Sequence, residues 1–170
     1  MAAIPRLYLV VCGTTTALRF GEIVGALRPL ADDIITVMTL GASRVVSPRM
    51  LALEPGHRLV ESYFDEAILP RPVDGPVLIA PCSFNTLNKL AQGIADSLAL
   101  SITADMIGRG LPVTVAISTN AALWAHPRSR LSVETLRAWG ITVVEPVEAN
   151  GERTLAPIGE ISSSVAARIA

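Results

Sequence analysis

Pro76-Val77-Leu78-Ile79-Ala80-Pro81-Cys82-Ser83-Phe84-Asn85-Thr86 is the stretch whose reading decides the fold. Its first five residues are apolar, short and bounded by turn residues. That is the pattern of a strand buried on both faces of a parallel sheet. Beyond it, Leu87, Leu90, Ala91, Ile94 and Leu98 recur at helical spacing, with Asn88, Lys89 and Gln92 between them. The stretch is therefore a strand-to-helix turn, with Ser83 or Asn85 as N-cap. In open α/β sheets, ligands bind outside the carboxyl ends of the strands. The turn offers hydroxyls, an amide and free helix N–H groups, which suit an electron-rich ring or an anion. An ordinary capped turn has the same composition, so both readings stand at this point.

The same pattern repeats outward. Leu7 to Cys12 reads as the first strand, followed by Gly13-Thr14-Thr15-Thr16 and a helix through Ala17, Phe20, Ile23, Val24 and Leu27. A glycine turn with threonine hydroxyls suits a phosphate, although it is no GxGxxG fingerprint and lacks the P-loop lysine. Ile34 to Thr39 is the second strand. Leu40-Gly41-Ala42-Ser43 turns it into a short helix around Val45 and Val46, and Ser47-Pro48 opens another. Thr39 and Ser43 fall at the same end of the sheet as Thr14, while Ser47 reads as a cap. Glu54 to Asp74 is broken by Pro55, Gly56, Pro70 and Pro72, with a short helix or strand near Leu59 to Phe64 and then an extended loop. His57, just after Pro55-Gly56, reads as an exposed loop residue.

The central helix is expected to run through Ala95-Asp96-Ser97-Leu98, with Gly108 and Gly110 as stops. Pro112 to Ile117 is the next strand, and its turn is Ser118-Thr119-Asn120. Ala121 to Trp124 is a short apolar segment, then a helix runs through Leu131, Val133, Leu136 and Trp139. Ile141 to Val144 is the last strand, and Glu145 to Ala170 a polar loop with a short helix around Ile161 and Val165. This β-α repetition predicts a single domain over residues 1–170: an α/β, Rossmann-like doubly wound three-layer sandwich on a parallel six-stranded sheet.

Composition narrows the function. Hydrophobic residues are 51% and charged ones 17%, so either the sheet is covered on both faces or apolar surface is buried against other subunits. A net charge of −1 and 4% aromatics give no case for nucleic acid or an anionic membrane. No apolar stretch reaches spanning length, and no charged n-region marks a secretory leader. Cys12 and Cys82 read as free thiols of a reducing compartment, the cytoplasm. There is no metal-ligand spacing, no GxSxG elbow and no carboxylate pair in a turn. A site of hydroxyls and amides binds a cofactor that brings its own reactivity.

Three stretches resemble one family. Pro81-Cys82-Ser83-Phe84-Asn85-Thr86, with Lys89, Gly93, Ala95, Asp96 and Leu98, is similar to the Pro-Ala-Ser-Ala-Asn-Thr motif of the homo-oligomeric flavin-containing cysteine decarboxylases. Ile117-Ser118-Thr119-Asn120-Ala121-Ala122-Leu123-Trp124 resembles their Pro-x-Met-Asn-x-x-Met-Trp motif. Gly13-Thr14-Thr15, with Thr39 to Ser43, matches their first two flavin turns. The central turn also resembles flavin prenyltransferases. The resemblance implies FMN held by Gly13, Thr14, Thr15, Thr39, Ser43, Pro81, Cys82, Ser83, Phe84, Asn85 and Thr86, at a subunit interface of a homotrimer or a multiple of three. It implies decarboxylation of a small-molecule or peptide substrate with a C-terminal cysteine, bound by Asn120, Thr119 and Trp124. The family's histidine base has no counterpart between Leu59 and Ala80, so His57 or Glu66 is the candidate for a displaced base, with Asn120 as the other catalytic residue. The family's flap cysteine is also missing from Ala149-Asn150-Gly151-Glu152-Arg153.

Overall fold

The computed structural model describes residues 3–69 and 74–169. In chain order the elements are β1 (Ile4–Val11), α1 (Phe20–Leu27), β2 (Ala31–Met38), α2 (Pro48–Ala52), β3 (Arg58–Val60), β4 (Val77–Cys82), α3 (Phe84–Ala91) and α4 (Leu98–Gly108). They continue with β5 (Val113–Ile117), α5 (Ala121–Ala125), α6 (Pro127–Ala138), β6 (Thr142–Val144), β7 (Val147–Ala149), β8 (Glu152–Thr154) and α7 (Ile158–Ile169). Six strands form one sheet in the order β3-β2-β1-β4-β5-β6, every pair parallel. The chain starts in the middle, winds out to β3, crosses back beside β1 at β4, and winds out the other way. The winding reverses between β1 and β4, which is where such sheets open a crevice.

Side-chain alternation builds the three layers. Leu7, Leu9 and Val11 of β1 point to the face covered by Phe20, Ile23 and Leu27 of α1 and Ile161 and Val165 of α7. Tyr8, Val10 and Cys12 point to the other face, under Leu87 and Leu90 of α3, Leu100 and Met106 of α4, and Leu136 of α6. Period-two strands carrying helices on both faces account for much of the high apolar fraction. Among the described residues, no helix is long and apolar enough to cross a membrane.

Three details differ from the sequence reading. The central helix does not run on to Leu98. It ends at Ala91, Gly93 takes φ +70°, and Ser97 opens α4 by accepting the Leu100 N–H at 3.4 Å. Glycine stops the helix, although Ile94 keeps the apolar spacing. The helix around Val45 and Val46 is only a 3₁₀ turn, Ala42–Arg44. The polar loop after Glu145 holds an antiparallel hairpin, β7–β8, turned by Asn150 (φ 54°) and Gly151 (φ 77°). Two residues at positive φ make the primed turn whose twist matches the strands. The Leu59 to Phe64 ambiguity resolves as a strand, β3, paired with β2. The breaks assigned to Pro70 and Pro72 lie outside the described residues.

Candidate functional site

The turns after β1, β2, β4 and β5 meet at one end of the sheet. Backbone bonds lace them together: Thr39 N–H to Val11 at 3.0 Å, Cys12 N–H to Pro81 at 3.1 Å, and Ser118 N–H to Cys82 at 2.9 Å. They surround a cleft of about 880 Å³ lined by Gly13 to Thr16, Thr39 to Gly41 with Arg44, Ser83 to Thr86 with Lys89, Asp96, Ser97, Leu100, Ser118 to Asn120, Leu123, and Glu152 to Thr154. That volume suits a ligand of cofactor size.

Each turn is built from local chemistry. Gly13 presses on the second turn: a Cβ there would stand 2.4 Å from both the carbonyl carbon and oxygen of Gly41. Only glycine permits that crossing, and it leaves bare backbone at the cleft wall. The hydroxyls of Thr14 and Thr16 are 2.8 Å apart, and those of Thr16 and Ser118 2.7 Å apart. This chain of hydroxyls ties the β1 turn to the β5 turn across β4. Ser83, not Asn85, is the N-cap of α3. Its Oγ accepts the Thr86 N–H at 3.3 Å and donates to Thr86 Oγ1 at 3.1 Å. Asn85 is left exposed in the first helical turn, facing the cleft. Thr119 Oγ1 is buried and has no partner among the described residues. An unmatched buried hydroxyl costs about 1–3 kcal/mol, so the wall suits a ligand with a polar edge. Asn120 caps α5 with Oδ1, which accepts the Leu123 N–H at 2.9 Å. The cap occupies Oδ1 and leaves the Nδ2 hydrogens as the donors of an exposed residue on the cleft.

Other sequence candidates fall elsewhere. Pro81 and Cys82 end β4, wholly buried, and support the turn from beneath. Burial pushes the Cys82 thiol well up, and its S–H donates to the Ser83 carbonyl at 3.6 Å. Ser43 turns its hydroxyl back to the Leu40 carbonyl at 2.9 Å, and its neighbour Arg44 lines the cleft instead. Trp124 lines a second cavity of about 570 Å³ with His126, Arg130 and Arg137. His57 precedes β3, whose first residue pairs with Ile35 in the middle of β2; it is half-buried rather than exposed, and it does not line the cleft. Its Nε2–H donates to the Leu51 carbonyl at 2.8 Å, and its ring packs edge-on against Phe20 at 4.8 Å. Glu66 is exposed on the 3₁₀ turn Glu66–Ile68 and does not line the cleft. Neither His57 nor Glu66 lines the cleft of this chain.

The sequence reading gave no role to Arg44 or His126, and matched Ala149 to Arg153 to the family's flap without showing that it is a hairpin. The Asn150-Gly151 pair was the available signal for the hairpin. His126 lies behind the cleft, its ring edge-on to Phe84 at 5.4 Å and its Nδ1 accepting the Arg128 N–H at 3.0 Å.

The model of the Flavoprotein family matches residues 1–170. The chain belongs to that family. Its ligand is a flavin, and the cleft fits one: it offers bare backbone and hydroxyls at Gly13 to Thr16, the exposed amide of Asn85, and the buried, unpartnered hydroxyl of Thr119. The crystal structure of the FMN-dependent cysteine decarboxylase SpaF shares 30% identity, covers 99% of each chain and superposes with a TM-score of 0.79. The FMN-binding protein AtHal3, at 24% identity, covers 96% of this chain and 95% of its own, with a TM-score of 0.78, and shows the same fold. The coenzyme A biosynthesis bifunctional protein CoaBC of Borreliella burgdorferi is 23% identical over 142 residues, which are 80% of this chain and 36% of that protein. The chain thus spans little more than a third of that relative's length.

Proposed function

We propose that this chain binds FMN and decarboxylates a cysteine carboxylate oxidatively, with a peptide's C-terminal cysteine as substrate. The observation that carries the reading is the convergence of the Gly13, Ser83 and Ser118 turns on one cleft at the β1/β4 reversal. The FMN-dependent cysteine decarboxylase SpaF, matched over nearly its whole length, supports the same reading. FMN, when bound, supplies a two-electron oxidant for the thiol-bearing carbon. The chain's own residues bind and orient. Gly13 to Thr16 would take the phosphate, and Ser83, Asn85 and Thr119 the ring. The Nδ2 hydrogens of Asn120 would donate to the substrate carboxylate without burying a second charge. The protein would act as a homotrimer in the cytoplasm, where Cys12 and Cys82 remain thiols.

The test is carbon dioxide release from a cysteine-terminated peptide, followed with the visible flavin band under anaerobic conditions. One equivalent of gas with bleaching of the flavin is the expected result. A flavin-loaded protein that releases none from any cysteine carboxylate overturns the decarboxylase reading. One observation favours a second reading, flavin binding without decarboxylation: neither histidine lines the cleft. A positioned general base contributes ~10²–10⁴ in rate, so turnover without one should be slow.

A further inference from the structure

Three cationic side chains line the cleft: Arg44, Lys89 and Arg153. Lys89, the only lysine of the chain, is paired with Asp96. Arg153 donates to the Pro146 carbonyl at 3.1 Å and faces Glu148 at 3.8 Å, so its own hairpin holds it. Arg44 has no ion-pair or hydrogen-bond partner for its guanidinium among the described residues. Its backbone position is nevertheless fixed. It closes the 3₁₀ turn Ala42–Arg44, its N–H donates to Gly41 at 3.3 Å, and Gly41 is the residue pressed against Gly13.

The Gly13-Thr14-Thr15-Thr16 turn offers hydroxyls and bare backbone but no charge. A phosphate there would carry close to two negative charges with no counter-ion from its own turn. A guanidinium fork matches phosphate geometry and keeps its charge at every working pH. Strand order decides which anion Arg44 serves. It follows β2, beside β1, so one strand spacing of roughly 5 Å separates its turn from the Gly13 turn. Asn120 follows β5, three spacings or roughly 14 Å from β2, so Arg44 stands nearer the Gly13 turn than the Asn120 turn.

We propose that Arg44 is the counter-ion of the flavin's ribityl phosphate and the residue that makes this cleft prefer FMN to riboflavin. The inference rests on the flavin reading of the cleft and adds to it a determinant of cofactor specificity.

Fluorescence titration of the flavin-stripped full chain with FMN and with riboflavin, at low and high salt, tests it. The wild type should bind FMN more tightly, with a gap that narrows in salt. Arg44→Met should lose ~10- to 100-fold in FMN affinity, the loss expected for one charge-assisted contact. Its riboflavin affinity should hold, which also shows that the cleft is folded. Arg44→Lys should recover part of the loss, because the charge returns without the fork. An equal loss for both flavins, or none for FMN, overturns the assignment of Arg44 while leaving the flavin reading intact. A wild type that binds neither flavin overturns both. Should Arg44→Met not fold, Arg44→Gln answers the same comparison.

Discussion

At the residue scale, capping and ligand binding are not competing roles for Asn120. Oδ1 serves the Leu123 N–H, and that bond orients the amide so that its nitrogen is the group left over. The two functions therefore separate by substitution. Asn120→Asp keeps an acceptor for the cap, and a carboxylate is favourable at a helix N-terminus. It loses both donors and adds a charge that repels a substrate carboxylate. The variant should melt like the wild type and keep its flavin, yet bind a cysteine-terminated peptide at least ~10-fold more weakly, the cost of one charged hydrogen bond. Asn120→Ala should show the same binding loss with stability down by about 0.5–2 kcal/mol. Calorimetric peptide titration with thermal melts of both variants checks this. Undiminished peptide affinity in Asn120→Asp would leave the residue a cap alone.

Turns and strands were largely legible in the sequence because their signals are local. A buried β-run, a polar turn and an apolar helical stripe each lie within about fifteen residues. What was not legible depends on direction and topology. Ser43 and Arg44 are neighbours, yet one hydroxyl folds back on Leu40 while the other side chain lines the cleft. Leu123 and Trp124 likewise part company, because a helical step of about 100° sends them to different cavities. His57 does not line the cleft because the Leu51 carbonyl and the Phe20 ring hold it, contacts that no local sequence signal shows. At the element scale, the Gly13–Gly41 crossing couples two turns, so a one-atom change should affect both. Gly13→Ala puts a Cβ 2.4 Å from the Gly41 carbonyl, and backbone cannot swing away as a side chain can. Stability should fall by about 1–3 kcal/mol, the range for overpacking. Flavin should be lost on gel filtration, read from the visible absorbance of the protein peak. A variant that stays yellow and melts normally would mean that the turns yield at no cost.

At the scale of the whole molecule, the apolar surface is unevenly placed. Leu18 is 71% exposed, Leu40 75%, Met50 67%, Leu53 72% and Phe64 86%. These residues come from the segments that follow β1, β2 and β3, on one half of the sheet, and Leu40 also lines the cleft. Single exposed leucines need no explanation, but five large apolar side chains gathered on one half do. Burying each contributes about 1.5–3 kcal/mol, so the five together supply several kcal/mol toward the cost of association. With 17% charged residues the chain has little else to keep that surface apart in water. A second copy is the partner the proposed trimer supplies, and closing three copies in a ring would cover these residues on each. Light scattering at micromolar concentration should therefore give three times the 17.9 kDa chain mass, or a multiple of that trimer. Phe64→Asp, at the most exposed of the five, should shift the mass toward the monomer without unfolding it, because Phe64 touches no core. If the cleft is completed by the neighbouring copy, flavin should dissociate from that variant as it is diluted. A wild-type chain that scatters as a monomer, or a Phe64→Asp variant that remains a trimer, would place the association surface elsewhere or remove it.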